Sequence, residues 1–361
     1  MQKTSLFIFL IWFIGSTHWL SAQTDNASLE DSSSTESQIS IEAQEKFNDG
    51  VTAFEEKNYS AAVNHFTEAI NLAPEFAKAY LNRGFAYVEL KKSDEAKKDL
   101  FKAAEMDNSF HQAYFELAIM AEIDENQDEA ILFYSKAIES TQKEYKYYYQ
   151  RGLIYFAKEE YEKAKADFTS AVNLKKDFSH GYNERGSANR ELKDYENAIK
   201  DYQLATLHDP SLVIAFNNLG SVYRKKGEFD NAIRAFDSAV KADPKSHLAL
   251  NNRGYAKFEK GDFNGAIADF KQCVQVNPNY AYGFNNLAAA YIKLEQFKEA
   301  VDACNSAVKI DSNYGYAFYN RGIAQEMLRK VPEACEDWLR AAELGVAAAQ
   351  TYYKNSDCNN Q

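Results

Sequence analysis

Proline and glycine are scarce in this chain: five and 15 among 361 residues, against 24 tyrosines and 24 phenylalanines. So few chain breakers punctuate only long elements, and the composition suits helices packed through aromatic side chains. An excess of basic charge is also missing. Lys and Arg number 41 against 53 Asp and Glu, a formal net charge of −12. That argues against nucleic acid as a partner, because phosphates call for a basic stripe. Histidine is sparse, and His18, His65, His111, His180, His208 and His247 fall without any His-x3-His spacing, so no metal site and no cofactor site is expected. No Ser, His and Asp group as a triad, and no glycine-rich loop is set to cradle a phosphate. The chain is not expected to be an enzyme.

A membrane-spanning run is absent as well. The apolar stretch Leu6 to Leu20 covers 15 residues, with Thr17 and His18 interrupting its end, and spanning takes roughly 20. Lys3 ahead of it and Ser21-Ala22-Gln23 behind it make residues 1–22 read as a secretory signal peptide cut after Ala22. The expected destination is periplasmic or extracellular, with no membrane span after cleavage. No cysteine lies near that junction, so a lipid anchor on cysteine is not expected. Residues 23–42 are rich in Ser, Thr, Asp and Glu without apolar periodicity, which predicts a disordered leader.

What the chain has in abundance is phase. Gly50, Gly84, Ala118, Gly152, Gly186, Gly220, Gly254, Ala288 and Gly322 recur every 34 residues, and twelve residues after each stands an alanine: Ala62, Ala96, Ala130, Ala164, Ala198, Ala232, Ala266, Ala300 and Ala334. Nine units without an insertion mean a stacked repeat array over residues 43–348. Numbering each unit 1 to 34 from Ala43 puts small residues at positions 8, 20 and 27. Bulky ones stand at position 4 (all but Lys46) and, for the most part, at position 24. Spacings of 4, 3 and 4 keep these on single helical faces. Small residues let two helices approach and large ones fill the space beside them. Pro74, Pro210, Pro244 and Pro278, all at position 32, mark the junctions between units. Each unit is therefore a helical hairpin. The stretch from Ala347 to Lys354 continues helical and predicts a solvating cap, with residues 349–361 as the end of that helix and a tail.

The pattern of a bulky residue, x3, Gly, then Ala-x3-Phe-x2-Ala and Pro at a period of 34 resembles the tetratricopeptide repeat family. The third unit departs from it with Ala118 and Gln142, and the fourth and ninth carry Lys176 and Val346 at the proline position. The resemblance implies an all-α, right-handed α-solenoid of nine hairpins plus a capping helix. It also implies a concave groove lined by first helices, at positions 2, 5, 6, 9, 12 and 13, that takes a protein or an extended peptide. Position 6 holds Asn48, Asn82, Glu116, Gln150, Glu184, Asn218, Asn252, Asn286 and Asn320, and position 5 adds Asn183, Asn217, Asn251 and Asn285. A carboxamide both donates and accepts, so this column can grip a peptide backbone whatever its side chains. It is similar to the asparagine ladder of the O-linked N-acetylglucosamine transferases. The other reading of the same residues is that they brace neighbouring helices.

In the first four units positions 5 and 9 are apolar, with Phe47, Val51, Leu81, Phe85, Phe115, Ile119, Tyr149 and Leu153. This suggests a two-part groove whose N-terminal half takes apolar side chains through residues such as Phe85 and Tyr149. The same residues could equally pack against each other. Repeat proteins that clamp a chaperone's terminal carboxylate place Lys at position 5 and Asn at position 9. This chain has neither anywhere, so that mode is not expected.

The four cysteines all follow residue 272. Pro332 suits the first turn of the last unit's second helix, and Gly345 can end that helix. A cap running back antiparallel would bring Cys358 to Cys335, and a disulfide is expected there. Cys273 and Cys304 stand at core positions and are expected as buried thiols. The function that follows is an exported scaffold binding a protein or peptide. The alternatives are an architectural subunit of an envelope or secretion complex, or an accessory to a glycosyltransferase. Self-association into a homo-oligomer is left open.

Overall fold

A computed structural model describes residues 39–356 and 358. The expected signal peptide, residues 1–22, and most of the expected leader lie outside the described residues. The chain divides into two compact units, one ending at Met106 and the other beginning at Asp107.

The first unit holds two hairpins: α1 (Ile41–Glu55) with α2 (Tyr59–Leu72), and α3 (Ala77–Glu89) with α4 (Ser93–Met106). Its start corrects the expected leader boundary at residue 42. Helix α1 already includes Ile41 and Glu42, because the Ser40 hydroxyl accepts from the Ala43 backbone N–H at 3.1 Å and caps it. Ile39 and Phe47 both pack against the buried cluster of Ala43, Ala69, Ile70, Ala73, Phe76 and Ala79.

The second unit holds seven hairpins and a last helix. They are α5 (His111–Ile123) with α6 (Gln127–Ser140), α7 (Tyr145–Ala157) with α8 (Tyr161–Leu174), and α9 (Ser179–Glu191) with α10 (Tyr195–His208). Next come α11 (Val213–Lys225) with α12 (Phe229–Ala242), and α13 (His247–Lys260) with α14 (Phe263–Val276). The unit closes with α15 (Ala281–Lys293) and α16 (Phe297–Ile310), α17 (Gly315–Met327) and α18 (Val331–Glu343), and the lone α19 (Ala347–Asn355). No strand occurs among the described residues.

One backbone device makes every hairpin. Position 15 takes a positive φ in all nine units: Lys57, Lys91, Glu125, Glu159, Lys193, Gly227, Gly261, Glu295 and Arg329. The next N–H reaches back five residues to a carbonyl near the end of the first helix, as Asn58 does to Ala53 and Glu160 to Tyr155. This left-handed cap satisfies the final carbonyls and turns the chain. The following residue then starts the second helix. Asn58, Asn126, Asp194 and Asp262 do so with a side-chain oxygen that accepts the N–H three residues on.

The phase read from the sequence is the phase of the core. All nine position-20 alanines are fully buried, and so are Ala69, Ala103, Ala137, Ala171, Ala205, Ala239, Cys273, Ala307 and Ala341 at position 27. The position-8 glycines exist because position 24 stands against them. A Cβ on Gly220 would sit 2.7 Å from the Phe236 ring, closer than carbon atoms approach. Where position 8 is Ala288 instead, position 24 has shrunk to Cys304, whereas Ala118 is accommodated beside a fully buried Tyr134.

A second core element was not anticipated from the sequence. In five units an arginine at position 7 grips an aspartate at position 23 of the same hairpin: Arg83–Asp99, Arg151–Asp167, Arg185–Asp201, Arg253–Asp269 and Arg321–Asp337. Where position 7 is Leu117, Leu219 or Leu287, position 23 is Phe133, Ala235 or Ala303, all buried. The two positions change together, as a buried charge requires.

Helix α19 covers the end of the stack. Its Ala349 and the preceding Val346 are buried against Trp338 and Ala341, and Tyr353 and Cys358 pack over them. Cys335 and Cys358 form a disulfide with 5.5 Å between their Cα atoms. Cys273 and Cys304 are free and buried. Burial pushes the Cys273 thiol up to about 11 and raises that of Cys304 further, so neither ionises near neutral pH.

Candidate functional site

In the second unit the asparagines of positions 5 and 6 meet between consecutive first helices. Asn218 Nδ2 donates to Asn183 Oδ1 at 3.1 Å, Asn252 to Asn217 at 3.2 Å, Asn286 to Asn251 at 2.9 Å and Asn320 to Asn285 at 2.8 Å. Each bond joins residues 35 apart, position 6 of one unit to position 5 of the unit before. The result is one unbroken column from α9 to α17.

The two rows differ in exposure. Asn183, Asn251 and Asn285 of position 5 are buried, while Asn218, Asn252, Asn286 and Asn320 of position 6 are half-buried at the surface. The position-5 oxygens accept within the protein. Asn217 Nδ2 also donates to the Val213 carbonyl at 3.1 Å, and Asn183 Nδ2 to Glu184 Oε1 at 2.9 Å. Burial lifts the Glu184 carboxyl above its ordinary value against that hydrogen bond. At position 6 the amide hydrogen faces inward and the oxygen is left. Arg190 Nη1 reaches Asn218 Oδ1 at 3.4 Å. Among the described residues nothing donates to the oxygens of Asn252, Asn286 and Asn320.

The asparagines therefore brace the helices, and they also leave a row of acceptors along the face. The N-terminal residues behave differently. Asn82 turns back on its own helix and donates to the Lys78 carbonyl at 2.8 Å. In the first unit Phe47 lies 4.9 Å from Phe76, centre to centre, and Phe85 joins the cluster around Phe66. In the second unit Tyr149 stands edge-on to Phe178 at 4.9 Å, and Phe115 lies 4.7 Å from Tyr147. Burial raises the Tyr149 hydroxyl far above its usual value. These rings pack against neighbouring rings; Leu81 and Phe115 are buried, while Phe47, Val51, Phe85, Ile119, Tyr149 and Leu153 keep part of their surface exposed.

Beside the column runs position 2, one of the positions expected to line the groove. Position 2 is four residues before position 6, on the same helical face. In the last four units it holds Ile214, Leu248, Tyr282 and Tyr316, which are 50, 50, 54 and 58% exposed. The signal was available as four consecutive large apolar residues at a period of 34, where the five preceding units carry Gln44, Lys78, Gln112, Lys146 and His180. Among the described residues no group of three or more His, Cys, Asp or Glu is placed to hold a metal ion, and no helix is long and apolar enough to cross a membrane.

Comparison with known proteins bears on the same units. Family models described as tetratricopeptide repeat match residues 77–110, 145–178, 179–211, 217–281 and 281–314, and one described as TPR repeat matches 52–91. Hsp70-Hsp90 organizing protein 1 of Glycine max is 36% identical over 86 residues, which are 24% of this chain and 14% of that protein. Hsp70-Hsp90 organizing protein 2 of Arabidopsis thaliana is 42% identical over 69 residues, 19% and 12% of the two chains. The chain thus spans only a small part of the curated relatives it matches. Among solved structures, the C-terminal part of a TPR repeat-containing protein from Cytophaga hutchinsonii is 18% identical with a TM-score of 0.56, covering 66% of this chain and 98% of that one. A tetratricopeptide repeat protein from Parabacteroides merdae is 16% identical with a TM-score of 0.52, covering 68% and 97%. At these identities the structures speak to the fold alone.

Proposed function

The chain belongs to the tetratricopeptide repeat family, and from that premise we propose that it is an exported, non-catalytic scaffold holding an extended segment of a partner protein along the asparagine column. The observation that carries this reading is the run of four Asn–Asn bonds from Asn183 to Asn320. It fixes each position-6 side chain and leaves the oxygens of Asn252, Asn286 and Asn320 without a donor from the described residues, while Arg190 reaches that of Asn218. A fixed row of acceptors suits a peptide backbone, whose N–H groups recur regardless of sequence. Pre-organisation lowers the ordering cost of binding.

Export rests on the pattern of residues 1–22, and the Cys335–Cys358 disulfide is in keeping with an oxidising compartment. N-terminal sequencing of the mature protein tests it: a start at Gln23 supports export, and retention of Met1 to Ala22 overturns it. The residues that clamp a chaperone's terminal carboxylate are missing from this chain. No unit has Lys at position 5 or Asn at position 9.

The test of binding is the variant Asn218→Ala/Asn252→Ala/Asn286→Ala, compared with the native chain by cross-linking and affinity measurement on a captured partner. Lost affinity with retained helicity supports the reading, and undiminished affinity overturns it.

A further inference from the structure

The acceptor column and the exposed apolar row are in register, and together they specify the ligand. In each of the last four units one exposed apolar side chain stands a single helical turn from a column Asn: Ile214 with Asn218, whose oxygen Arg190 reaches, and Leu248 with Asn252, Tyr282 with Asn286 and Tyr316 with Asn320, whose oxygens have no donor among the described residues. The fifth unit breaks the pattern with His180 and Glu184, and the fourth with Lys146 and Gln150. The row therefore has a definite start at α11 and ends at α17.

The rings in the row are held. Tyr282 lies 4.7 Å from Tyr314 and 5.8 Å from Tyr280, so its exposed face is presented by two other rings rather than swinging in solvent. Rigid aromatic faces give contact area at little conformational cost.

Spacing then selects a conformation. The Asn–Asn bonds require consecutive first helices to be in contact, and helices in contact lie about 9 Å apart. A β-strand rises about 3.3 Å per residue and alternates sides, so its third residue faces away. A polyproline-II segment rises about 3.1 Å per residue with three residues per turn, so every third residue returns to one side after about 9 Å. It also has no internal hydrogen bonds, which leaves its N–H groups for the Asn oxygens. Proline lacks that N–H, so a pure proline tract would satisfy the apolar row and starve the acceptors.

Resting on the reading above, we infer that the face formed by α11, α13, α15 and α17 is specific for a polyproline-II segment with an apolar side chain at every third residue and non-proline residues between. Each unit takes one turn of the ligand. The apolar side chain lies on position 2, and an intervening N–H is donated to position 6.

The test uses the full chain with its disulfide intact and fluorescent peptides about four ligand turns long. One carries leucine at every third residue in a Gln/Ser background, a second carries the same leucines at every second residue, and a third is the first with its intervening amides N-methylated. The first is expected to bind about tenfold tighter than the second, a difference of about 1.4 kcal/mol. The methylated peptide should lose affinity to a similar degree, and Leu248→Ser/Tyr282→Ser should weaken the first peptide with no change in helicity. Equal binding of the first two peptides overturns the register. If that common binding still disappears in Asn218→Ala/Asn252→Ala/Asn286→Ala, the scaffold reading stands while this inference falls. If none of the peptides binds, the inference also falls, and the scaffold reading then rests on its own partner capture.

Discussion

Arg151 holds the carboxylate of Asp167, sixteen residues ahead, through Nε at 2.8 Å and Nη2 at 2.7 Å, and the Ser135 hydroxyl, sixteen residues behind, through Nη1 at 2.8 Å. One side chain thus ties a hairpin together and pins it to the one before. Arg83 does the same with Asp99 and Thr67, Arg253 with Asp269 and Asp237, and Arg321 with Asp337 and Asn305. Removing one partner strands a buried charge, so Asp167→Ala should cost about 3 kcal/mol. The double change Arg151→Leu/Asp167→Ala reproduces the Leu219/Ala235 and Leu287/Ala303 arrangement of other units and should recover most of that loss. Thermal and denaturant unfolding followed by circular dichroism would show it. A double variant as unstable as the single one contradicts the exchange.

The second prediction concerns steric complementarity. Gly220→Ala puts a methyl group where the Phe236 ring already stands, at 2.7 Å, and overpacking of this kind costs about 1–3 kcal/mol. The Ala288/Cys304 pair shows the remedy. Phe236→Cys should therefore cost less in the Gly220→Ala background than in the native chain. A double-mutant cycle with no coupling would separate the two positions.

Reduction should act at one end only. The Cys335–Cys358 bond closes a loop of 23 residues, and on the chain-entropy account it contributes about 3 kcal/mol. Hydrogen exchange after reduction should accelerate in α18 and α19 and leave α9 to α13 unchanged, as expected when each repeat contacts only its neighbours. Uniform acceleration would show that the cap acts on the whole stack.

Acidity should reveal Glu122. Its carboxylate accepts from the Tyr134 hydroxyl, and burial raises it above the ordinary 4.5 despite that bond. The folded state therefore holds this proton more tightly than the unfolded state. Its contribution is fully present below 4.5 and is lost as pH rises through the folded value. The melting temperature of the native chain relative to Glu122→Gln, which does not titrate, should fall as pH climbs through that window. A difference that stays flat with pH contradicts the assignment.

The repeat phase, the hairpins, the buried alanines and the cap were legible because each follows from residue size at fixed spacing. Gly220 announces the Phe236 ring that needs its space, and Pro332 with Gly345 announces the turn that brings Cys358 to Cys335. The Arg–Asp pairs were legible only by reading two columns against each other, since Arg151 or Leu219 alone looks like any helix residue. The use of the Asn252 amide hydrogen on Asn217 could not be read at all. It depends on how far one hairpin is rotated on the next, which many small contacts decide together. For the same reason Tyr149 looked available in the sequence and is packed on Phe178 in the structure.

The account turns on whether the position-6 oxygens receive a partner's backbone. In Asn218→Ala/Asn252→Ala/Asn286→Ala the inter-repeat bonds are lost as well, each worth about 1 kcal/mol, so affinity has to be read on protein shown to be folded. Isothermal titration of the every-third-leucine peptide against native and variant chains, both confirmed helical, is the most direct measurement. The prediction is a loss of at least about tenfold in affinity; identical affinity in two equally folded chains would contradict it.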